Sequence, residues 1–501
     1  MSRSPRARTA WLAAFLVMGS LSTAAPAEDK PRESWDAVYM KGTKIGHVHT
    51  TVDDVKDPKN PERPLLRVRV DMELTFKRQN DRIRQRVRYG TIETPQGSVL
   101  RLDTRILTGT EELRTYGDVI NGKMTLILEG AGQRQQEVIT WGPEVRGPYA
   151  AEMSLARNPI RPGETRQEQM FIPGLNKIGG LKLIAQEFEQ VELGGRVKRN
   201  LLRVEAPVTG PDGKPLAEAS NTLWVDEGGQ VLKSHSDVFG GMTFYRTTES
   251  AAKAPDGEVD LIAEQIVKIP QKIPNPERTR SILYQVALKD NDPAAIFPTD
   301  RRQTLRPSST PGTMVLHVRT SGRDEGEAGP DRVDDAYLEP NPQINSNDPR
   351  IVALAKQAVG GQTDPWAKAT AIQQWVARNI RAKNFSRGFA PASEVARNLT
   401  GDCTEHSVLT AAMCRAAGVP ARVVIGLVYA DHLNGFGYHM WNEVYVNRRW
   451  VAIDAAFNQS DVDAVHIKLS DSSLDGVSPF ESFLAVAQVF NKLSLRPLEI
   501  R

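Results

Sequence analysis

The chain of 501 residues holds two cysteines, Cys403 and Cys414. Cys403 stands where the pattern predicts a helix start. Gly401-Asp402 precede it, Val408, Leu409, Ala412 and Ala416 mark a buried side, and Gly418 and Pro420 end the run. A thiol at a helix start gains from the positive end of the macrodipole, which favours the nucleophilic thiolate. Downstream, Ala421 to Tyr429 reads as a valine-rich strand and Ala430 to Gly437 as a glycine-containing loop. Tyr438 to Val446 alternates, with His439, Trp441, Glu443 and Tyr445 on one face, and Trp450 to Asp454 is a return strand. The arrangement supplies a nucleophile, Cys403, a base, His439, and a group to orient the base, Asp454.

Register decides whether the last two can meet. A two-residue turn at Asn447-Arg448 pairs Val446 with Arg449 and, continued, Trp441 with Asp454. His439 and Asp454 then share a face as diagonal neighbours, about 7–8 Å apart at the backbone. A three-residue turn would put them on opposite faces. The residues around them read as support. Trp441 and Tyr445 pack beside His439, and His406, one turn after Cys403, is structural because His439 already fills the base position. Glu405 and Glu443 are hydrogen-bonded or solvated. Cys414, deep in the helix among alanines, packs. Eleven residues of helix hold the two sulfur-bearing Cα atoms about 16 Å apart, beyond the roughly 7 Å limit for a disulfide.

Positioning these groups falls to the elements around them. Asp348-Pro349 and Asp364-Pro365 each set an N-cap before a first-turn proline. The helices they open carry Ile351, Leu354 and Ala358, then Ala369, Ile372, Trp375, Val376 and Ile380, at helical spacing. The earlier chain has a different texture. From Arg67 to Lys77 the residues Val68, Val70, Met72, Leu74 and Phe76 alternate with polar ones, as in an antiparallel sheet with one wet face. Arg82, Arg84, Arg86 and Arg88 form a stripe, read as a solvated face with cross-strand ion pairs. His47 and His49 share a strand face and read as surface histidines, since no Cys or acidic partner stands near in sequence. Leu223 to Leu232 reads as a hairpin.

Four segments are expected: a signal peptide over 1–27, a β-rich domain over 28–250, an irregular linker region with minor β structure over 251–345, and the chemistry-bearing domain over 346–501. Arg3, Arg6 and Arg8, the short apolar run Trp11 to Leu21, and Ala25-Pro26-Ala27 compose the signal. That run is shorter than the about 18–20 residues a membrane span needs, so a periplasmic or secreted location without stable membrane insertion is expected. Two thiols kept in an oxidising compartment imply use. Apolar and charged fractions of 40% and 25% exclude wholesale disorder. A net charge of +3 gives no ground for a nucleic-acid partner. No zinc spacing or EF-hand loop occurs, so no metal and no cofactor is expected.

Four blocks carry a resemblance. They are Gly401-Asp402-Cys403-Thr404-Glu405-His406, Ala417-Gly418-Val419-Pro420-Ala421-Arg422, Gly437 to Tyr445 around His439, and Trp450-Val451-Ala452-Ile453-Asp454. In this order they closely resemble the transglutaminase-like superfamily, and the resemblance is confined to the chain after residue 345. It implies a papain-like core at the C-terminus, which together with the large antiparallel β-rich region read ahead of it makes an α+β protein. It further implies that Cys403 attacks an amide carbonyl, His439 shuttles protons and Asp454 holds the imidazole in its working tautomer. The product is a thioester, passed to an amine or to water on a protein or peptide substrate. A cysteine peptidase or amidase acting on peptides or cell-wall material is one alternative, and a non-catalytic binding or scaffold protein that keeps the fold is another.

Overall fold

A computed structural model describes residues 33–501 apart from 59, 79–80, 109–110, 131–132, 174, 195–196, 217–218, 238–240, 258, 260–265, 290–291, 321–330, 382–389, 476–485, 487–488 and 490–491. The proposed signal peptide lies outside the described residues. Residues 33–501 form one compact unit. Among the described residues no helix is long and apolar enough to cross a membrane.

Alternation in the first half produces a sixteen-stranded sheet. Eight strands, from Glu33–Met40 to Gln133–Thr140, form an antiparallel meander. A second set, ending at Met242–Thr247, is seamed to it where Trp35 faces Thr247. The sheet is rolled, because the strand ending at Thr140 lies at one edge and the next, Val145–Arg146, lies at the other. Five residues of chain reach less than about 18 Å, so the two edges approach each other. Their union buries Val99, Leu102, Met124, Leu126, Trp141, Val145 and Phe171 in one cluster. The arginine stripe lies on the wet face, where Arg86 donates to Glu73 at 2.8 Å and Arg88 pairs with Asp71.

The segment expected to be an irregular linker contributes more β structure than that. Ser281–Leu288, Met314–Arg319 and Gln303–Pro307 form a four-stranded antiparallel sheet with the C-terminal strand Leu493–Ile500. Ile282, Tyr284, Val286 and Leu288 alternate inward and share one core with the C-terminal helices. Met314 to Val318 reads as a strand in the sequence, but the surrounding prolines obscured Ser281–Leu288 and Gln303–Pro307, and the partner of Ser281–Leu288 lies about two hundred residues away.

The C-terminal domain surrounds one helix. Cys403–Ala416 is buried almost throughout, which suits a helix covered on all sides. Helices Pro349–Val359, Pro365–Asn379 and Ala392–Asn398 pack on it, and its remaining side rests on the strands Ala421–Ala430 and Gly435–Val446. Asp348 accepts from the Arg350 and Ile351 backbone N–H groups, and Asp364 accepts from Ala367, so both predicted caps form. In sheet order Val267–Lys268, Gly435–Val446, Ala421–Ala430 and His466–Ser472 lie side by side, and Arg449–Ile453 also pairs with Gly435–Val446.

Candidate active site

The nucleophile position is built by a reciprocal cap. The Asp402 side chain accepts from Thr404 N–H at 2.8 Å, and Glu405 accepts from Asp402 N–H at 2.9 Å. The other Glu405 oxygen accepts from Ala390 N–H at 3.1 Å, tying a preceding loop to the helix start. Glu405 is fully buried, and burial together with the Asp402 charge raises its carboxyl well above the usual range. Gly401 makes the approach with φ +150°, and a Cβ there would lie 2.3 Å from Glu405 Cβ. Cys403 is consequently the first helical residue and stays partly accessible.

The hairpin has the two-residue turn. Asn447 and Arg448 take φ of 49° and 64°, and Val446 faces Arg449 through to Asn442 facing Ile453. His439 and Asp454 therefore share a face, and His439 Nε2 lies 2.6 Å from Asp454 Oδ2. An ionised carboxylate only accepts, so Nε2 carries the proton and Nδ1 is the nitrogen left for Cys403. The Cys403 sulfur is close enough to the ring to favour its charged form. Burial works against charge on His439, but the Asp454 carboxylate and the sulfur outweigh it and push the pKa up to about 9. Burial also opposes the Asp454 charge, yet the two histidines that contact it hold the carboxyl well below the usual range. The three residues expected to act together are brought together.

One neighbour was missed in the sequence. His466, on the strand His466–Ser472, reaches Asp454 Oδ2 with Nε2 at 3.2 Å and Asp463 Oδ1 with Nδ1 at 2.6 Å. The Asp463-x-x-His466 spacing was the available signal, but only the pairing of Val428 with His466 carries it to the site. The ligand atoms of His439, Asp454 and His466 lie within 4.8 Å of one another, a donor set of the kind that holds transition metals. Ligands on one zinc at bonds near 2.0–2.1 Å sit about 3.3 Å apart. The 2.6 Å contact between His439 and Asp454 has the length of a hydrogen bond.

The surrounding residues seal it. Trp441 is fully buried with its ring stacked near His439, centroids 6.0 Å apart. Phe457 lies over His439 at 4.7 Å and remains 48% exposed, so it forms an apolar wall between the ring and solvent. Glu443 is buried and clamped by Arg422 at 2.6 Å and Lys468 at 2.9 Å. Burial alone would raise its carboxyl, but those two cations bring it down to about 2. His406 donates Nδ1–H to the Asp402 carbonyl at 2.6 Å, and burial lowers its pKa and favours the neutral ring. Cys414 is wholly buried, and burial pushes its thiol up to about 12. Far from this site, His49 stacks on Trp35 at 3.8 Å and meets Glu33 at 2.7 Å, while His47 flanks the same tryptophan.

Comparison with known proteins places a family on the C-terminal segment. Residues 352–455 match the profile of the transglutaminase-like superfamily, so the C-terminal segment is a transglutaminase-like domain. An uncharacterized protein of Haemophilus influenzae is 31% identical over 96 residues, covering 18% of this chain and 26% of that protein. Human kyphoscoliosis peptidase is 27% identical over 119 residues, covering 21% of this chain and 17% of the human one. The chain thus spans about a quarter or less of the length of these relatives. Among solved structures, a candidate cysteine protease from Cytophaga hutchinsonii aligns over 44% of this chain and 86% of its own, with 18% identity and a TM-score of 0.29. A β-barrel-like protein from Brucella abortus aligns over 43% of this chain and 97% of its own, with 11% identity and a TM-score of 0.30. The whole is an α+β protein with a large antiparallel β region ahead of a transglutaminase-like domain.

Proposed function

We propose that this protein is an exported cysteine-dependent enzyme that opens amide bonds of proteins or peptides through a thioester on Cys403. The observation that carries the reading is His439 with Nε2 committed to Asp454 and Nδ1 left for the thiol. The Cys403 sulfur bonds to the amide carbonyl carbon, and the collapse of that adduct breaks the C–N bond. His439 gives its proton to the departing amine, and Asp454 keeps the imidazolium in place. The thioester then passes to an amine, giving transamidation, or to water, giving hydrolysis. The Cys403 backbone N–H at the helix start is the natural donor to the carbonyl oxygen. Export rests on the sequence of residues 1–27.

The test is to incubate the protein with a pool of peptides and proteins, quench it, and find the adduct by mass. An acyl group on Cys403, absent in Cys403→Ala, supports the reading, and its identity names the substrate class. The alanine variant should keep its fold, because a small residue at a helix start removes the sulfur without overpacking. Full turnover by a folded Cys403→Ala protein would overturn the mechanism. Absence of any adduct on a reactive thiol would favour the scaffold alternative.

A further inference from the structure

His466 is among the buried titratable groups that the mechanism above leaves unused, and its surroundings define its state. His466 is 1% exposed and contacts a carboxylate through each ring nitrogen. Each carboxylate is occupied as an acceptor. Asp463 also accepts from Val465 N–H at 3.1 Å and Gln459 Nε2–H at 2.8 Å. Asp454 Oδ1 accepts from Ala456 N–H at 2.7 Å and Phe457 N–H at 3.1 Å, while Oδ2 takes His439. With both carboxylates ionised, neither ring nitrogen of His466 faces a donor, so both nitrogens must donate. A ring that donates twice is the imidazolium.

We propose that His466 is a positioning residue, a cation held between Asp463 and Asp454 that fixes the Asp454 carboxylate and shares its charge, and so sets how firmly Asp454 keeps the proton on His439. The inference deepens the proposed function and rests on it. Both imidazoles converge on one oxygen, Asp454 Oδ2, with ring centroids 5.4 Å apart. The two backbone N–H groups on Oδ1 stop the carboxylate from rotating. Among the described residues the rings of Trp441 at 5.3 Å and Phe457 at 5.9 Å also lie against His466. Beyond Asp463 lie the Tyr284 hydroxyl, the Arg302 guanidinium, which donates to the Asp463 carbonyl at 2.7 Å, and on the nucleophile helix His406 senses Asp454. Burial opposes the His466 charge, and the bonds to Asp454 and Asp463 outweigh it.

The probe is alkylation of Cys403 by iodoacetate, with iodoacetamide as the neutral control. The anionic reagent is drawn by the His439 imidazolium, so its rate falls at high pH as that ring loses its proton. Iodoacetamide lacks this upper limb. His466→Gln keeps an N–H for Asp454 and removes the charge. Losing one positive charge about 5.4 Å away makes His439 hold its proton more firmly. The upper limb for iodoacetate should move up by about one to two pH units at an effective dielectric near 20–40. A side chain that only fills space would leave the limb where it is, and an unmoved limb in folded His466→Gln overturns the proposal. Should that variant not fold, histidine-labelled wild-type protein decides by nitrogen NMR at pH 8. Two protonated nitrogens on His466 support the proposal, and a neutral single tautomer overturns it. A wild-type Cys403 without enhanced reactivity would instead sink the proposed function, and the NMR result would still report the state of His466.

Discussion

Replacing Asp454 by asparagine tests the geometry with a change of one atom. Aspartate Oδ1 accepts two backbone N–H groups, from Ala456 and Phe457, and Oδ2 accepts from His439 and His466. Asparagine has one oxygen and one NH2. Placed with its oxygen toward the two backbone donors, it turns N–H groups toward His439 Nε2. That forces the His439 proton onto Nδ1, the nitrogen needed to take the proton of Cys403. The flipped amide faces two backbone donors with a third, which costs about 1–3 kcal/mol for each group left unpaired. Either choice also removes the carboxylate charge that helps push the His439 pKa up to about 9. Turnover should fall by about 10³–10⁴, the loss expected of a wrong tautomer with the site intact. Single-turnover acylation of Cys403, followed by mass, is the assay, with circular dichroism to establish folding. A folded Asp454→Asn protein that loses less than about tenfold would refute the assignment of Nε2 as the protonated nitrogen.

The two thiols should differ sharply. Mild iodoacetamide at neutral pH labels Cys403 alone in the native protein, and two labels appear only on unfolding, because Cys414 is buried and its thiol is pushed up to about 12; equal native labelling would contradict this. Gly426→Ala should destabilise by about 3 kcal/mol, since a Cβ there would lie 2.1 Å from the Ile467 carbonyl oxygen and 2.8 Å from the Trp441 ring. It should also displace the strand carrying His466, and an unchanged urea midpoint would contradict the close approach. Because the folded pKa of His439 is raised, its stabilising contribution is complete below its unfolded value near 6.5 and is lost as pH rises through about 9. Melting temperature should therefore fall between pH 7 and 10 in the wild type and fall less in His439→Ala, and parallel curves for the two proteins would argue against the ion pair.

Local rules made much of the site legible. The caps at Asp348 and Asp364 act within a few residues of themselves. The Asn447-Arg448 turn sets the hairpin register, and through it the meeting of His439 with Asp454, across a span of 15 residues. The alternation of Arg67 to Lys77 likewise announced a one-sided sheet. Periodicity and turn chemistry are properties of short segments, so a single sequence exposes them.

What tertiary structure alone decided lies at long separation. Gln133–Thr140 and Val145–Arg146 are near neighbours in the chain, yet only the strand order of the sixteen-stranded sheet makes them its two edges. Ser281–Leu288 became a core strand by pairing with Leu493–Ile500, a partner that no local pattern names. His466 reached Asp454 because its strand lies beside Ala421–Ala430, and Glu405 became a buried tie because it meets Ala390 N–H. Each depends on which of many compatible surfaces pack together, a choice made by the burial of the whole core and not by the residues that flank the site.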